Sequence, residues 1–202
     1  MRSIFIFSLL AFKVCSGQTT NFYFSPDTFL VEKTYSFVNH KDTTEKANWK
    51  MKTIVTGSDT IFQTSIFNND KPAEVMTEKV NNGNSKILTY TLFNNGKSSD
   101  CKILDSLVYK LNQKENEKIQ WKVEFKDFNS SNIITLTKTR NLQSIVSDKQ
   151  AFSDTMRIDI VGNAIPYIYF VNSIYEKSKG LISYKITRPN GQVKEFELTA
   201  IK

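Results

Sequence analysis

The chain has 202 residues, a formal net charge of +7, seven glycines, four prolines and 12% aromatic residues. That length suits one domain with a sizeable core, and the aromatic content with so few prolines argues against disorder. Lysines and arginines are interleaved with acids along the whole chain, so the charge reads as a solvated surface and excludes a nucleic-acid footprint.

The first seventeen residues have the pattern of a cleaved secretory signal. Arg2 gives a positive start, Ile4 to Phe12 form an apolar run, and Cys15, Ser16 and Gly17 are small residues before Gln18. The run is too short to span a bilayer. Cleavage after Gly17 removes Arg2 and Lys13, which lowers the net charge by two, and it also removes Cys15. Cys101 is then the lone cysteine of the mature chain, so no internal disulfide forms and stability rests on packing. A lipidated Cys15 is the alternative, but Phe12, Lys13 and Val14 depart from the small, uncharged residues expected directly before a lipid-bearing cysteine. No second long apolar run follows, so the mature chain is read as having no transmembrane span. The expectation is export to the periplasm, the envelope or the cell exterior, with residues 18–202 as a single mainly β domain after a loose lead-in at Gln18 to Ser25.

Taken in chain order, Phe29 to Val38 is the first predicted strand, followed by a polar loop that holds His40. Trp49 to Thr56 and Thr60 to Phe67 pair across a turn at Gly57 to Asp59. Glu74 to Val80 and Lys86 to Phe93 flank Asn82 and Gly83, a dipeptide suited to the positive φ angles of a tight hairpin, and Asn94 to Gly96 end the next strand. The pattern then changes. Ile103, Leu104, Leu107, Val108 and Leu111 recur at helical spacing behind Ser99 or Asp100 as a cap, which predicts an amphipathic helix over Asp100 to Gln113. Cys101 falls in its first turn. There it is either a thiol whose pKa the helix dipole lowers or a small, partly buried residue without chemistry.

Strand signals resume at Ile119 to Phe125, where Ile119, Trp121, Val123 and Phe125 alternate with Gln120, Lys122 and Glu124. Asn132 to Asn141, Met156 to Ile160 and Tyr167 to Tyr175 follow. Leu181 to Thr187 and Val193 to Ile201 are joined through Pro189, Asn190 and Gly191. Polar outer faces on so many strands imply antiparallel pairing with one wet side. The predicted architecture is mainly β, an antiparallel up-and-down meander or open barrel of about eleven strands with one amphipathic helix.

Reactive chemistry is scarce. His40 is the only histidine, and a lone loop histidine supplies neither a metal site nor a triad. No serine stands in a Gly-x-Ser-x-Gly context, glycine-rich phosphate loops are absent, and Asp148, Asp154 and Asp159 do not fit a calcium loop. Glu115 with Glu117 and Glu195 with Glu197 read as solvated acids rather than catalytic pairs, and no cofactor or metal is expected. The one feature that reads as a site is the aromatic cluster from Tyr167 to Tyr184, which opens with the strand Tyr167 to Tyr175. Tyr167, Tyr169, Val171 and Ser173 share one face of that strand and Ile168, Phe170 and Asn172 the other, so it is either central in a layered core or lines a cavity. Trp121, Phe125, Tyr167, Tyr169 and Phe170 are therefore the candidate ligand-contacting residues.

Tyr175 to Tyr184, an aromatic strand, a basic turn with Gly180 and then Leu181, Ile182 and Tyr184, resembles the closing hairpin of exported β proteins of Bacteroidota-type diderm bacteria. Some of these are similar to the LolA and LolB lipoprotein carriers. That resemblance covers about the last forty positions and implies a curved, half-closed sheet around a helical lid and an apolar cavity, with no catalytic residues to carry over. Three functional readings follow. The first is a non-enzymatic envelope or periplasmic domain with a binding or structural duty, its partner an apolar ligand or an envelope component. The second is a carrier of a lipid or other apolar ligand in a half-barrel cavity, and the third a hydrolase.

Overall fold

The computed structural model describes residues 32–202 except 57, 58 and 82. The predicted signal with Cys15, the lead-in, the first three residues of the first predicted strand and most of the Gly57 to Asp59 turn lie outside the described residues.

Thirteen strands make one antiparallel sheet: β1 (Glu32–Asn39), β2 (Lys46–Thr56), β3 (Asp59–Asn68), β4 (Lys71–Asn81), β5 (Asn84–Asn94), β6 (Lys97–Asp100), β7 (Lys102–Lys110), β8 (Lys118–Lys126), β9 (Ile133–Val146), β10 (Lys149–Ile160), β11 (Tyr167–Glu176), β12 (Gly180–Thr187) and β13 (Val193–Ile201). Neighbours in sequence are neighbours in the sheet, and β13 returns to β1 with Tyr35 opposite Ile201 and Phe37 opposite Leu198. Twelve strands thus close a barrel, and β6 is an extra strand on β5. Closure corrects the expected open barrel. It satisfies the main-chain groups that a half-open sheet leaves on two edges.

The second correction concerns Asp100 to Gln113, where the expected amphipathic helix is absent. Strands β6 and β7 lie end to end along β5, Thr91 facing Asp100 at one end and Ser85 facing Tyr109 at the other. Between them the Cys101 N–H donates to the Tyr90 carbonyl at 2.8 Å. A register shift between Ile103 and Asp105 on β8 gives β7 one surplus residue, Leu104, which is exposed. That bulge carries Ile103 and Val108 into one packed cluster although they are five residues apart, so a spacing that imitates a helical stripe arises in a strand. The other eleven strands fall where the alternation places them.

Tight turns tie the meander together. Asn69 and Asp70 hold φ of 47° and 62°, and Asn95 and Gly96 hold 48° and 79°, the paired positive values that two-residue hairpins need. Side chains of alternate residues fill the barrel. One apolar cluster gathers Phe37, Leu142, Phe152, Tyr184 and Phe196, with Tyr184 and Phe196 stacked at 4.9 Å. A second gathers Ile87, Trp121, Val123, Phe125 and Leu136 on β5, β8 and β9. Among the described residues no helix is long and apolar enough to cross a membrane.

Candidate functional site

Between the two clusters the barrel interior holds a cavity of about 110 Å³. Side chains from ten strands reach it, because inward positions of paired strands meet in register: Tyr35 opposes Trp49, Trp49 opposes Ile66, Ile66 opposes Glu74, and Met76 opposes Tyr90. Its wall is mostly apolar and rich in aromatic rings. Phe37 and Trp49 lie 5.7 Å apart and Tyr90 meets Trp121 edge to face at 5.5 Å.

Charged groups converge on the same space from β4 and β9, which β5, β7 and β8 separate in the barrel wall. Strand β4 brings Glu74 and Glu78, two turns of the pleat apart on one face, and β9 brings Lys138 and Arg140. Asp154, fully buried on β10 opposite Arg140, engages both cations. Arg140 Nη2 lies 3.0 Å and Lys138 Nζ 3.1 Å from its Oδ2, and Arg140 Nε donates to Oδ1 at 3.1 Å. Burial pushes the Asp154 carboxyl up, but the charges of Arg140 and Lys138 outweigh it and hold the group below its ordinary 3.8. The Arg140 guanidinium also sits 4.9 Å from the centre of the Phe152 ring and 5.7 Å from that of Tyr175.

The two acids have hydroxyl donors. Ser85 Oγ donates to Glu78, and the Tyr90 hydroxyl donates to Glu74 Oε2 at 2.6 Å. Burial, with the Glu74 charge beside it, raises the Tyr90 hydroxyl well above its ordinary value, so it remains a donor. Glu74 is half-buried and Glu78 is buried.

The five residues singled out from sequence are dispersed. Trp121 lines the cavity. Phe125 is buried two pleats further along β8 and packs on Phe128 at 6.3 Å. Tyr169 is half-buried on the inner face opposite Met156, and Tyr167 stands at the barrel rim, 47% exposed, opposite Ile158. Phe170 is on the outer face of β11, 50% exposed. The two-faced apolar strand therefore lines the interior with one side and faces outward with the other. Missed from sequence were Glu74, Glu78 and Trp49. Their signal is an acid at every fourth position around Met76, on the face that the pairing with Ile66 and Tyr90 turns inward.

Cys101 is half-buried between β6 and β7, and burial first, then the neighbouring Asp100 and Glu74 charges, pushes its thiol to about 12. The lowered thiol pKa weighed for a helix start is thus reversed, since no helix dipole exists there and apolar neighbours disfavour the thiolate. His40 is exposed in the β1–β2 loop. Glu117 binds Lys110 at 2.5 Å and the Lys114 N–H at 2.9 Å. Among the described residues no group of three or more His, Cys, Asp and Glu side chains is placed to hold a metal ion.

Comparison with known proteins matches neither a family model nor a curated protein. Two crystal structures share the fold. A protein of Parabacteroides distasonis described as a putative lipoprotein superposes with a TM-score of 0.56 at 9% identity, over 91% of this chain and 99% of its own. A protein of Bacteroides fragilis described as a putative exported protein with YmcC-like fold gives 0.54 at 8% identity, over 84% of this chain and 95% of its own. The chain is therefore similar in fold to proteins of Bacteroidales described in those terms, and the likeness extends over nearly the full length of both.

Proposed function

We propose that the chain is an exported, envelope-associated binding protein without catalytic activity, which holds a small ligand inside its barrel. The carrying observation is the aromatic cavity at the barrel centre, into which a few charged side chains converge, the usual make-up of a ligand site. Export is supported by the apolar leader at Ile4 to Phe12 and by the descriptions of the two similar structures. The absence of a reactive constellation in the sequence supports a non-catalytic role. At about 110 Å³ the cavity is smaller than the roughly 300–1,000 Å³ that encloses a drug-sized molecule, which favours a small ligand over a lipid chain.

Native mass spectrometry of the protein recovered from its own envelope fraction tests this reading. The expected result is a chain beginning at Gln18 that carries a small non-covalent adduct, lost when Leu181→Trp fills the cavity. A cytosolic protein that retains Met1, or the absence of any adduct, overturns it. Turnover of a glycan or peptide that Glu74→Gln or Glu78→Gln abolishes overturns the non-catalytic part and restores the hydrolase reading.

A further inference from the structure

We infer that the ligand enters the barrel from the side, through a seam between β5 and β7 that the Ile87 side chain closes; this rests on the binding role proposed above. Strand β7 divides its pairing between its two neighbours. Lys102, Ile103, Asp105 and Ser106 pair with Glu124, Val123, Lys122 and Trp121 of β8, and then the partner changes: Leu107, Tyr109 and Lys110 pair with Lys86, Ser85 and Asn84 of β5. Further along β5 the Tyr90 carbonyl takes the Cys101 N–H, and Thr91 pairs with Asp100 of β6. Among the described residues, Ile87, Leu88 and Thr89 therefore have no register partner on β7, while Ile87 and Thr89 stay paired with β4 on their other side. The five residues from Lys102 to Ser106 span the same stretch as these three, and the surplus is taken up in the bulge at Leu104. From Lys86 to Tyr90 the two strands thus run without a ladder for about 13 Å.

The two breaks that β7 leaves are filled differently. Toward β8, beyond Ser106, polar side chains bridge the break: Arg140 Nη1 donates to the Val108 carbonyl at 3.4 Å, and the buried Gln113 donates through Nε2 to the Glu117 carbonyl at 2.7 Å. Toward β5 the filling is apolar. Ile87 is buried and belongs to the cluster whose Tyr90, Val108 and Trp121 line the cavity. The same residue also lines a separate cleft of about 430 Å³, beside the exposed Lys86 and Leu88 and next to Ser106. One side chain thus stands between a solvent-facing cleft and the cavity wall. Moving it aside breaks no paired ladder, because none joins the strands there, and stretches of this kind open locally at low cost. A rotamer change at Ile87 then joins the cleft to the cavity, while the paired positions at either end of the seam hold the barrel closed.

Xenon exchange on the mature chain separates this inference from the binding role beneath it. Xenon is an apolar probe small enough for a cavity of about 110 Å³, and saturation-transfer xenon nuclear magnetic resonance reads both its uptake and its rate of exchange. Ile87→Ala is expected to speed exchange at least tenfold. Val123→Ala, which truncates the same cluster inside the continuous β8–β9 ladder, is expected to change it less than twofold. If Ile87→Ala fails to fold, Ile87→Val replaces it, with an expected gain of at least threefold. In a Cys101→Ser background, Leu88→Cys and Ser106→Cys bridged by a short bismaleimide are expected to slow exchange at least tenfold relative to the same protein before bridging. Exchange that responds equally to the Ile87 and Val123 variants, or that the bridge leaves unchanged, overturns the seam and leaves the binding role standing. Absence of xenon uptake, with no adduct on the envelope-derived protein, overturns both.

Discussion

Asp154→Asn isolates the charge cluster at the centre of the barrel, because it keeps the side-chain volume and removes only the carboxylate shared by Lys138 and Arg140. The Asp154 side chain is 1% exposed, Arg140 5% and Lys138 20%, so most of the cost attaches to the Arg140 contact and little to the partly solvated lysine. Arg140 keeps its bond to the Val108 carbonyl at 3.4 Å and its place against the rings of Phe152 and Tyr175. Removing one partner of a buried pair costs about 3–5 kcal/mol, and these residual contacts set the expectation at the lower end, about 3 kcal/mol. For a domain of this size that is a fall in Tm of roughly 6–12 °C. The assay is urea and thermal unfolding from pH 7 down to pH 2. Because the folded-state pKa of Asp154 lies below its unfolded value of 3.8, its contribution is complete above the unfolded value and is lost as pH falls through the folded one. The wild type is therefore expected to converge on the variant in acid, the gap being wide at pH 7 and narrowing as the pH falls below 3.8. A gap below about 1 kcal/mol at pH 7, or one that does not narrow in acid, refutes the assignment of a stabilising charge network here.

Further outcomes follow from single residues. Gly83 holds φ +76°, and a Cβ there would come within 2.7 Å of the Leu111 side chain, so Gly83→Ala is expected to lower stability by about 1–3 kcal/mol, measured by urea unfolding. Cys101, with its thiol raised to about 12, is expected to react with iodoacetamide at pH 8 at least a hundredfold more slowly in the native protein than in urea; equal rates would show an accessible thiolate. Phe152→Ala, at a position 2% exposed, is expected to cost about 3–5 kcal/mol, whereas Phe170→Ser, at one 50% exposed, changes stability by no more than about 0.5 kcal/mol. A large loss in Phe170→Ser would place that ring against something that covers the outer face of β11.

Eleven strands were legible because each carries its information locally: Ile119, Trp121, Val123 and Phe125 alternate with charge, and Asn-Gly or its equivalents mark the reversals. Two properties were not local. Closure depends on β13 pairing with β1 across more than 150 residues, and no alternation within either strand specifies which edge it meets. The bulge at Leu104 re-phases a strand by one residue, which turns a period of two into an apparent period near 3.6, and sequence periodicity has no means to tell a re-phased strand from a helix over so short a span.

The site was harder to read for a related reason. Aromatic residues announce burial, so Trp121 and Tyr169 were found on the inner face, but the same signal selected Phe170, whose strand neighbours share its hydrophobicity without sharing its direction. Acids announce solvent, and Glu74, Glu78 and Asp154 look in sequence like any residues of a charged outer face. They become interior only when the pairings of β4 with β3 and β5, and of β10 with β9, set Glu74 opposite Ile66 and Asp154 opposite Arg140. An inward carboxylate in a half-polar strand is thus the costly exception to the pattern that folds the barrel. Because that cost has to be offset by a partner, each of these inward acids is met by one: Glu74 by the Tyr90 hydroxyl, Glu78 by the Ser85 hydroxyl and Asp154 by Arg140 and Lys138.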